Sequence, residues 1–309
     1  PRIKTINSMP PLEGLLDGQA ELDDVNGDAL PDILYGDADG YYYFENIDGT
    51  RFSLTPKTIQ NPPDRMLTEP DVVLTDVNGD GFRDVLFADG LDFRFYPGGQ
   101  IVNGVFQRFG PSVVLSSNGE DVPFFTDSRV RLMDLNYDGR SDLLFQAGAT
   151  YQILNKANNR LESAELLELP IDVELEDPQL QLLDFNGDGL LDFVRVDAEN
   201  QRLRVWYSKG FGKYTDEDEI TGVPSAPADE LHLQDINHDS QTDVLWLSGS
   251  WLGIYTNNGR GDLDFERDFD SLPEVDEILK VLFADMNGNG TTDVVWITAD
   301  YHLKYLEMN

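Results

Sequence analysis

Short runs of alternating apolar and polar residues recur along the chain, each stopping at an aspartate. Their apolar pairs are Ala20 and Leu22, Val72 and Leu74, Val130 and Leu132, Leu180 and Leu182, Leu231 and Leu233, and Val281 and Phe283. A spacing of two predicts half-buried strands rather than helices. Beyond a polar stretch each is followed by a nearly all-apolar run, at 33–35, 85–87, 143–145, 193–194, 244–246 and 294–296. Apolar residues on both faces predict a strand covered on both sides. A short turn then leads to an aromatic-rich third strand, as at 41–44, 93–96, 203–207 and 251–255, whose rings are expected to pack neighbouring sheets together. A fourth, more polar strand is expected to run up to Leu169-Pro170, Val223-Pro224 and Leu272-Pro273. Polarity and a terminal proline suit an edge.

The unit returns six times, with steps of 50 to 58 residues between the leading aspartates. A fixed period of this size marks a solenoid, a propeller or an array. Four antiparallel strands per repeat predict an all-β fold, a six-bladed β-propeller of four-stranded antiparallel blades. The sixth repeat ends at Asn309 after its third strand, and residues 3–11 echo the fourth strand of the first repeat at 56–63. Residues 2–7 are therefore expected to complete the last blade, making residues 1–309 one propeller.

Between the first and second strands lies a nine-residue polar frame. Its first, third, fifth, seventh and ninth residues are Asp24, Asn26, Asp28, Leu30 and Asp32; Asp76, Asn78, Asp80, Phe82 and Asp84; and Asp134, Asn136, Asp138, Arg140 and Asp142. The later copies are Asp184, Asn186, Asp188, Leu190 and Asp192; Asp235, Asn237, Asp239, Gln241 and Asp243; and Asp285, Asn287, Asn289, Thr291 and Asp293. One side-chain oxygen from each of the first three, a backbone carbonyl from the seventh and a bidentate ninth carboxylate give about six hard oxygen ligands, which suits calcium. No histidine or cysteine recurs in the frame, against softer metals. Up to six Ca²⁺, one per blade, are expected. Flanking strands, and Tyr35, Phe87, Phe145, Arg195, Trp246 or Trp296 where an EF-hand needs its twelfth-position glutamate, separate these loops from EF-hands. The sixth position is glycine in four copies but Ala29 and Ser240 in two, where a left-handed backbone would cost about 1 kcal/mol. Asn289 removes one charge from the last frame, so the second, third and fourth frames are expected to bind most tightly.

These frames resemble the FG-GAP and VCBS repeats of calcium-looped propellers, found in integrin alpha heads and bacterial surface proteins. The resemblance implies ligand roles at the first, third, fifth and ninth positions. Segments such as 204–212 and 284–293 are similar in texture to the propellers of bacterial Rhs-type proteins, including the B components of insecticidal toxin complexes. That similarity implies a propeller that docks partner subunits and closes off an encapsulated toxin.

Bulk properties narrow the function further. A net charge of −36 opposes nucleic acid, whose binders need a basic footprint. No run of about 18 apolar residues predicts a membrane span, and Pro1-Arg2-Ile3-Lys4 lacks a signal peptide's apolar core. Without cysteine there is neither a disulfide nor a thiolate nucleophile. The three histidines, His232, His238 and His302, form no recognisable triad or zinc spacing, and no phosphate-cradling glycine loop appears. Arg260-Gly261-Asp262 spells an adhesion tripeptide inside what reads as an ordinary turn. The connectors from fourth to next first strand are acidic: Asp64, Glu69 and Asp71; Glu120, Asp121 and Asp127; Asp172, Glu174, Glu176 and Asp177; Asp229 and Glu230; Glu274, Asp276 and Glu277. Together these features predict a non-enzymatic docking or adhesion module, secreted or on a cell surface, that meets a protein with a basic patch. A lectin-like propeller stacking sugars on Trp251 or Tyr41 is the alternative, and a hydrolase or lyase the third reading.

Overall fold

The computed structural model describes residues 2–90, 92–103, 105–117, 123, 125, 127–167, 169, 174–270, 272–273 and 277–308. Six four-stranded antiparallel sheets follow one another in chain order. The first blade comprises Ala20–Asp23, Asp32–Asp37, Gly40–Phe44 and Lys57–Thr58. The second comprises Val72–Thr75, Asp84–Asp89, Asp92–Tyr96 and Val113–Leu115. The third comprises Val130–Met133, Asp142–Ala147, Ala149–Ile153 and Glu165–Leu166. The fourth comprises Leu180–Leu183, Asp192–Asp197, Arg202–Trp206 and Asp218–Ile220. The fifth comprises Leu231–Gln234, Asp243–Ser248, Trp251–Asn257 and Leu263–Phe269. The sixth takes Ile278–Ala284, Asp293–Thr298 and Leu303–Leu306, and its fourth strand is Ile3–Thr5.

That last pairing closes the ring as the terminal echo predicts. Ile3, Lys4 and Thr5 lie opposite Leu306, Tyr305 and Lys304. Helix among the described residues is limited to Glu13–Asp17, the 3₁₀ turns Ala198–Asn200 and Ala228–Glu230, and a single 3₁₀ residue at Glu277.

The core is a set of layers between blades rather than a single centre. Leu34 and Tyr43 of the first blade pack with Leu74 and Val85 of the second. Phe95 and Leu115 meet Leu143 and Ile153, while Leu144 meets Phe193. Val194 and Val205 pack with Leu233 and Val244, Leu245 with Val294, and Val295 with Ile33. The second strands are therefore sandwiched on both faces, which is why they read as apolar throughout. Burial of each large side chain contributes about 1.5–3 kcal/mol.

The fourth strands differ from expectation. In the first four blades they cover two or three residues, and in the third, fourth and fifth they end before Pro170, Pro224 and Pro273. Val223 and Leu272 are instead buried in the layers between the fourth, fifth and sixth blades. Proline offers no N–H to a ladder and holds its predecessor extended, so these residues plug the core after the strand has ended. Glu168 and Pro170 lie outside the described residues. The longer second repeat is explained by an extra hairpin, Gln100–Val102 with Val105–Arg108. Its Phe106, together with Phe109, is buried against the first two blades.

Candidate metal-binding loops

Each polar frame joins the first to the second strand of its blade, so all six lie at one end of the ring. Their conformation is held by the frame's own oxygens. The leading aspartate accepts the amides that follow: Asp184 accepts from Gly187, Asp188 and Gly189 at 2.8, 3.1 and 2.8 Å, and Asp24 accepts equivalently from Gly27, Asp28 and Ala29. The fifth side chain accepts from the seventh amide in every copy, at 2.8–3.1 Å. In five copies the third-position asparagine also accepts from the fifth amide.

The ninth aspartate is fully buried in all six blades. In five of them one oxygen accepts from the second amide of the frame, as Asp84 does from Val77 at 3.0 Å. The other accepts from a backbone amide at or two residues past the end of the third strand, as from Gly98 at 2.8 Å. The carboxylate thus ties loop to strand before any ligand is considered. Burial, reinforced by neighbouring frame carboxylates, pushes Asp32 up to about 8, Asp84, Asp142 and Asp243 to about 7, and Asp192 and Asp293 to about 6.

The first loop departs from this pattern. Asn26 is buried with neither side-chain atom partnered, and Oδ2 of Asp32 is likewise without a partner. Two unsatisfied oxygens at the third and ninth positions cost several kcal/mol between them unless something fills the gap. An all-oxygen donor set with such orphans fits a hard cation. In none of the six loops, nor elsewhere among the described residues, do three Asp, Glu or His side chains converge on one point, and the leading and fifth side chains turn back onto loop amides in the first loop as in the others. A carboxylate oxygen that accepts one hydrogen bond retains a second lone pair for a cation.

The sixth position is left-handed in every copy, including Ala29 at φ 69° and Ser240 at φ 71°. Ala29→Gly and Ser240→Gly are each expected to stabilise the protein by about 1 kcal/mol, read as a higher denaturant midpoint at constant slope. An unchanged or lower midpoint would refute it.

Two features of the site escape the periodic pattern. The fourth position is also left-handed, with Tyr137 and His238 where the other copies have glycine. A Cβ on Gly187 would stand 2.6 Å from the Ser240 carbonyl oxygen, so neighbouring loops touch. The second feature is a latch between neighbouring blades, present in every second blade. Buried Asn46, Asn155 and Asn257 donate from Nδ2 to the carbonyls of Met286, Val77 and Phe185, the second residue of the preceding blade's frame. Recurrence of asparagine 13 or 14 residues past the ninth aspartate is its signal in the chain.

Other candidates resolve more simply. Arg260-Gly261-Asp262 belongs to a turn pinned to the fourth blade, with Thr221 N–H donating to Gly261 and Leu263 N–H donating to Thr221. Tyr41, offered for sugar stacking, is buried at 1% exposure because it packs edge-on against Phe109. Trp206 and Trp296 are also buried. Trp251 stays half-exposed against Trp246, with its indole N–H donating to Asp268. Of the acidic connectors, Glu120, Asp121, Asp172, Glu274 and Asp276 lie outside the described residues. Asp127 is held by Arg129 and Asp177 by Arg195.

A family model described as FG-GAP-like repeat matches residues 24–87, 184–246 and 235–296. No curated protein sequence matches the chain. Among solved structures, the Photorhabdus luminescens Tc holotoxin pore superposes with a TM-score of 0.75 at 20% identity, over 100% of this chain and 14% of the toxin chain. A lectin of Agrocybe aegerita that recognises non-reducing terminal N-acetylglucosamine gives 0.57 at 18% identity, over 90% of this chain and 74% of the lectin. A TcdB2-TccC3 complex with Cdc42 gives 0.55 at 15% identity, over 98% of this chain and 15% of that chain. The chain thus spans about a seventh of the toxin chains it resembles, and at these identities the likeness is one of fold.

Proposed function

The chain belongs to the family of FG-GAP-like repeat proteins, and from that premise we propose that residues 1–309 form one non-catalytic, calcium-stabilised docking propeller of a larger secreted or surface protein associated with a toxin. Its acidic connector face would meet a basic patch on a partner domain or subunit. The observation that carries this reading is the placement of charge. Nearly all patterned acids are absorbed by the frames, while Asp64, Glu69, Glu174, Glu176 and Asp229 remain on connectors between rigid blades. Loops fixed on a stable scaffold commonly carry recognition, and a net charge of −36 selects a cationic counterpart.

Calcium supports this role by making the scaffold rigid. The residues that would hold it are the first, third, fifth and ninth side chains of each frame, together with the seventh carbonyl. When bound, it would neutralise carboxylates that otherwise repel one another across the ring. With free calcium about tenfold above its dissociation constant, each site would add about 1.4 kcal/mol by mass action.

Zero-length carbodiimide crosslinking of the protein in its native assembly tests the docking. Links from Asp64, Glu69, Glu174 or Glu176 to lysines of another domain or subunit, suppressed at high salt, are the expected result. Links confined to the propeller would sink it. The lectin fold likeness keeps a glycan ligand as the second reading, and retention on immobilised N-acetylglucosamine by the frame-loop face would favour it.

A further inference from the structure

The layers between blades are not equally filled near the frame-loop end. Between the first and second blades the space is only about 20 Å³, with Phe106 and Phe109 among its walls. Between the fourth and fifth it is about 600 Å³ but lined by polar groups such as Asp218, Gln241 and Asn258. Between the third and fourth an open cleft of about 640 Å³ is walled by Leu135, Leu154, Leu190, Tyr137 and Phe211. Glu165 lies at this cleft too, accepting from Gln152 Nε2 at 3.0 Å, and Asp188 stands at its edge.

Both aromatic residues occupy backbone that glycine adopts far more cheaply. Tyr137 has φ 63° at a frame position where four of the six copies carry glycine, and Phe211 has φ 53° between Gly210 and Gly212. Bulky side chains at such angles are strained and need a reason. Packing does not supply one for Phe211, which is 98% exposed. Tyr137 faces the fourth blade's Leu190 across the blade boundary at this cleft. Two strained aromatics from different blades therefore flank one apolar cleft with the Glu165 carboxylate beside it.

We propose that this cleft is a binding site for an arginine or lysine side chain carried next to a leucine-sized apolar residue on a partner protein. The apolar walls take the aliphatic residue, the faces of Phe211 and Tyr137 attract the cation, and Glu165, which belongs to no frame, supplies the opposite charge. The excess of acidic groups over the whole chain favours such a ligand over an anionic one. The site lies on the frame-loop side and does not depend on the connector face.

Saturation-transfer NMR with the intact chain tests it, using acetyl-Leu-Arg-amide as probe, with acetyl-Leu-Gln-amide and methyl N-acetylglucosaminide as controls. The arginine probe should give a signal about fivefold above the glutamine probe, fall about tenfold in Phe211→Gly, and lose its preference in Glu165→Gln. Phe211→Gly should melt at the same temperature as the parent or higher, since glycine relieves the strained backbone. Equal signals from both dipeptides, an unchanged signal in Phe211→Gly, saturation by the sugar alone, or a Phe211→Gly melt lowered by about 5 °C would each overturn the proposal.

Discussion

Removal of residues 2–7 is expected to lower the melting temperature by about 5 to 10 °C, a loss far beyond what six residues at an exposed terminus would ordinarily cost. The segment supplies the fourth strand of the last blade, and Ile6 is fully buried in the layer joining the sixth blade to the first. Its backbone stitches both sides of that seam. The Ile6 N–H donates to Leu303 and the Asn7 N–H to Thr50, both at 3.0 Å. Lys4 adds an ion pair with Glu307 at 3.1 Å, exposed enough to contribute little. Deletion would uncover Ile297, Leu303 and Tyr305, each buried in that same layer. A ring whose blades each lean on two neighbours loses closure at one point, and the cost then includes the entropy regained by the freed blade. A melt within a degree or two of the intact chain would show that the ring closes without this strand.

The order of strands, their alternation and the closing echo were legible because each reports a local periodicity that tertiary packing reinforces. Leu74 and Val85 read as buried and are buried. The lengths of the fourth strands were not legible. An edge strand has one partner and little burial, so a two-residue pairing such as Lys57–Thr58 leaves the same polar trace as a longer one. At the frames, spacing singled out the oxygens expected to meet a cation but not which of them already accept hydrogen bonds from the loop. The ninth aspartate reads as a ligand in one dimension, yet its neighbours in space are amides 7 residues back and 13 to 16 residues on. Asn46 Nδ2 reaches the Met286 carbonyl 240 residues away, a pairing that only ring closure creates. The strain at Tyr137 and Phe211 was equally hidden, since backbone dihedrals at a non-glycine turn residue leave no compositional mark.

In chelator, the protein is expected to become less stable as the pH rises from about 5 to 8, the reverse of ordinary acid denaturation. The sign follows from the ninth aspartates. Their folded pKa values, about 6 to 8, lie above the ordinary carboxylate value of 3.8, with burial the main cause. Between those limits the folded state binds more protons than the unfolded chain, so its contribution is full below about 4 and is lost as the pH passes the folded values. Asp32 titrates last, at about 8, and its unpartnered Oδ2 makes the first loop the one most sensitive to alkali. Calcium bound at the frames would invert the trend, because a divalent cation favours the ionised carboxylate that burial disfavours. Melts in EDTA should therefore fall by at least about 5 °C between pH 5 and 8, whereas melts in a few millimolar calcium should stay level or rise, with magnesium resembling EDTA. A chelated protein whose melting temperature is flat or climbs over that range would contradict the buried-carboxylate account. Identical profiles with and without calcium would leave the frames as hydrogen-bonded turns, with the ninth aspartate serving as a staple alone.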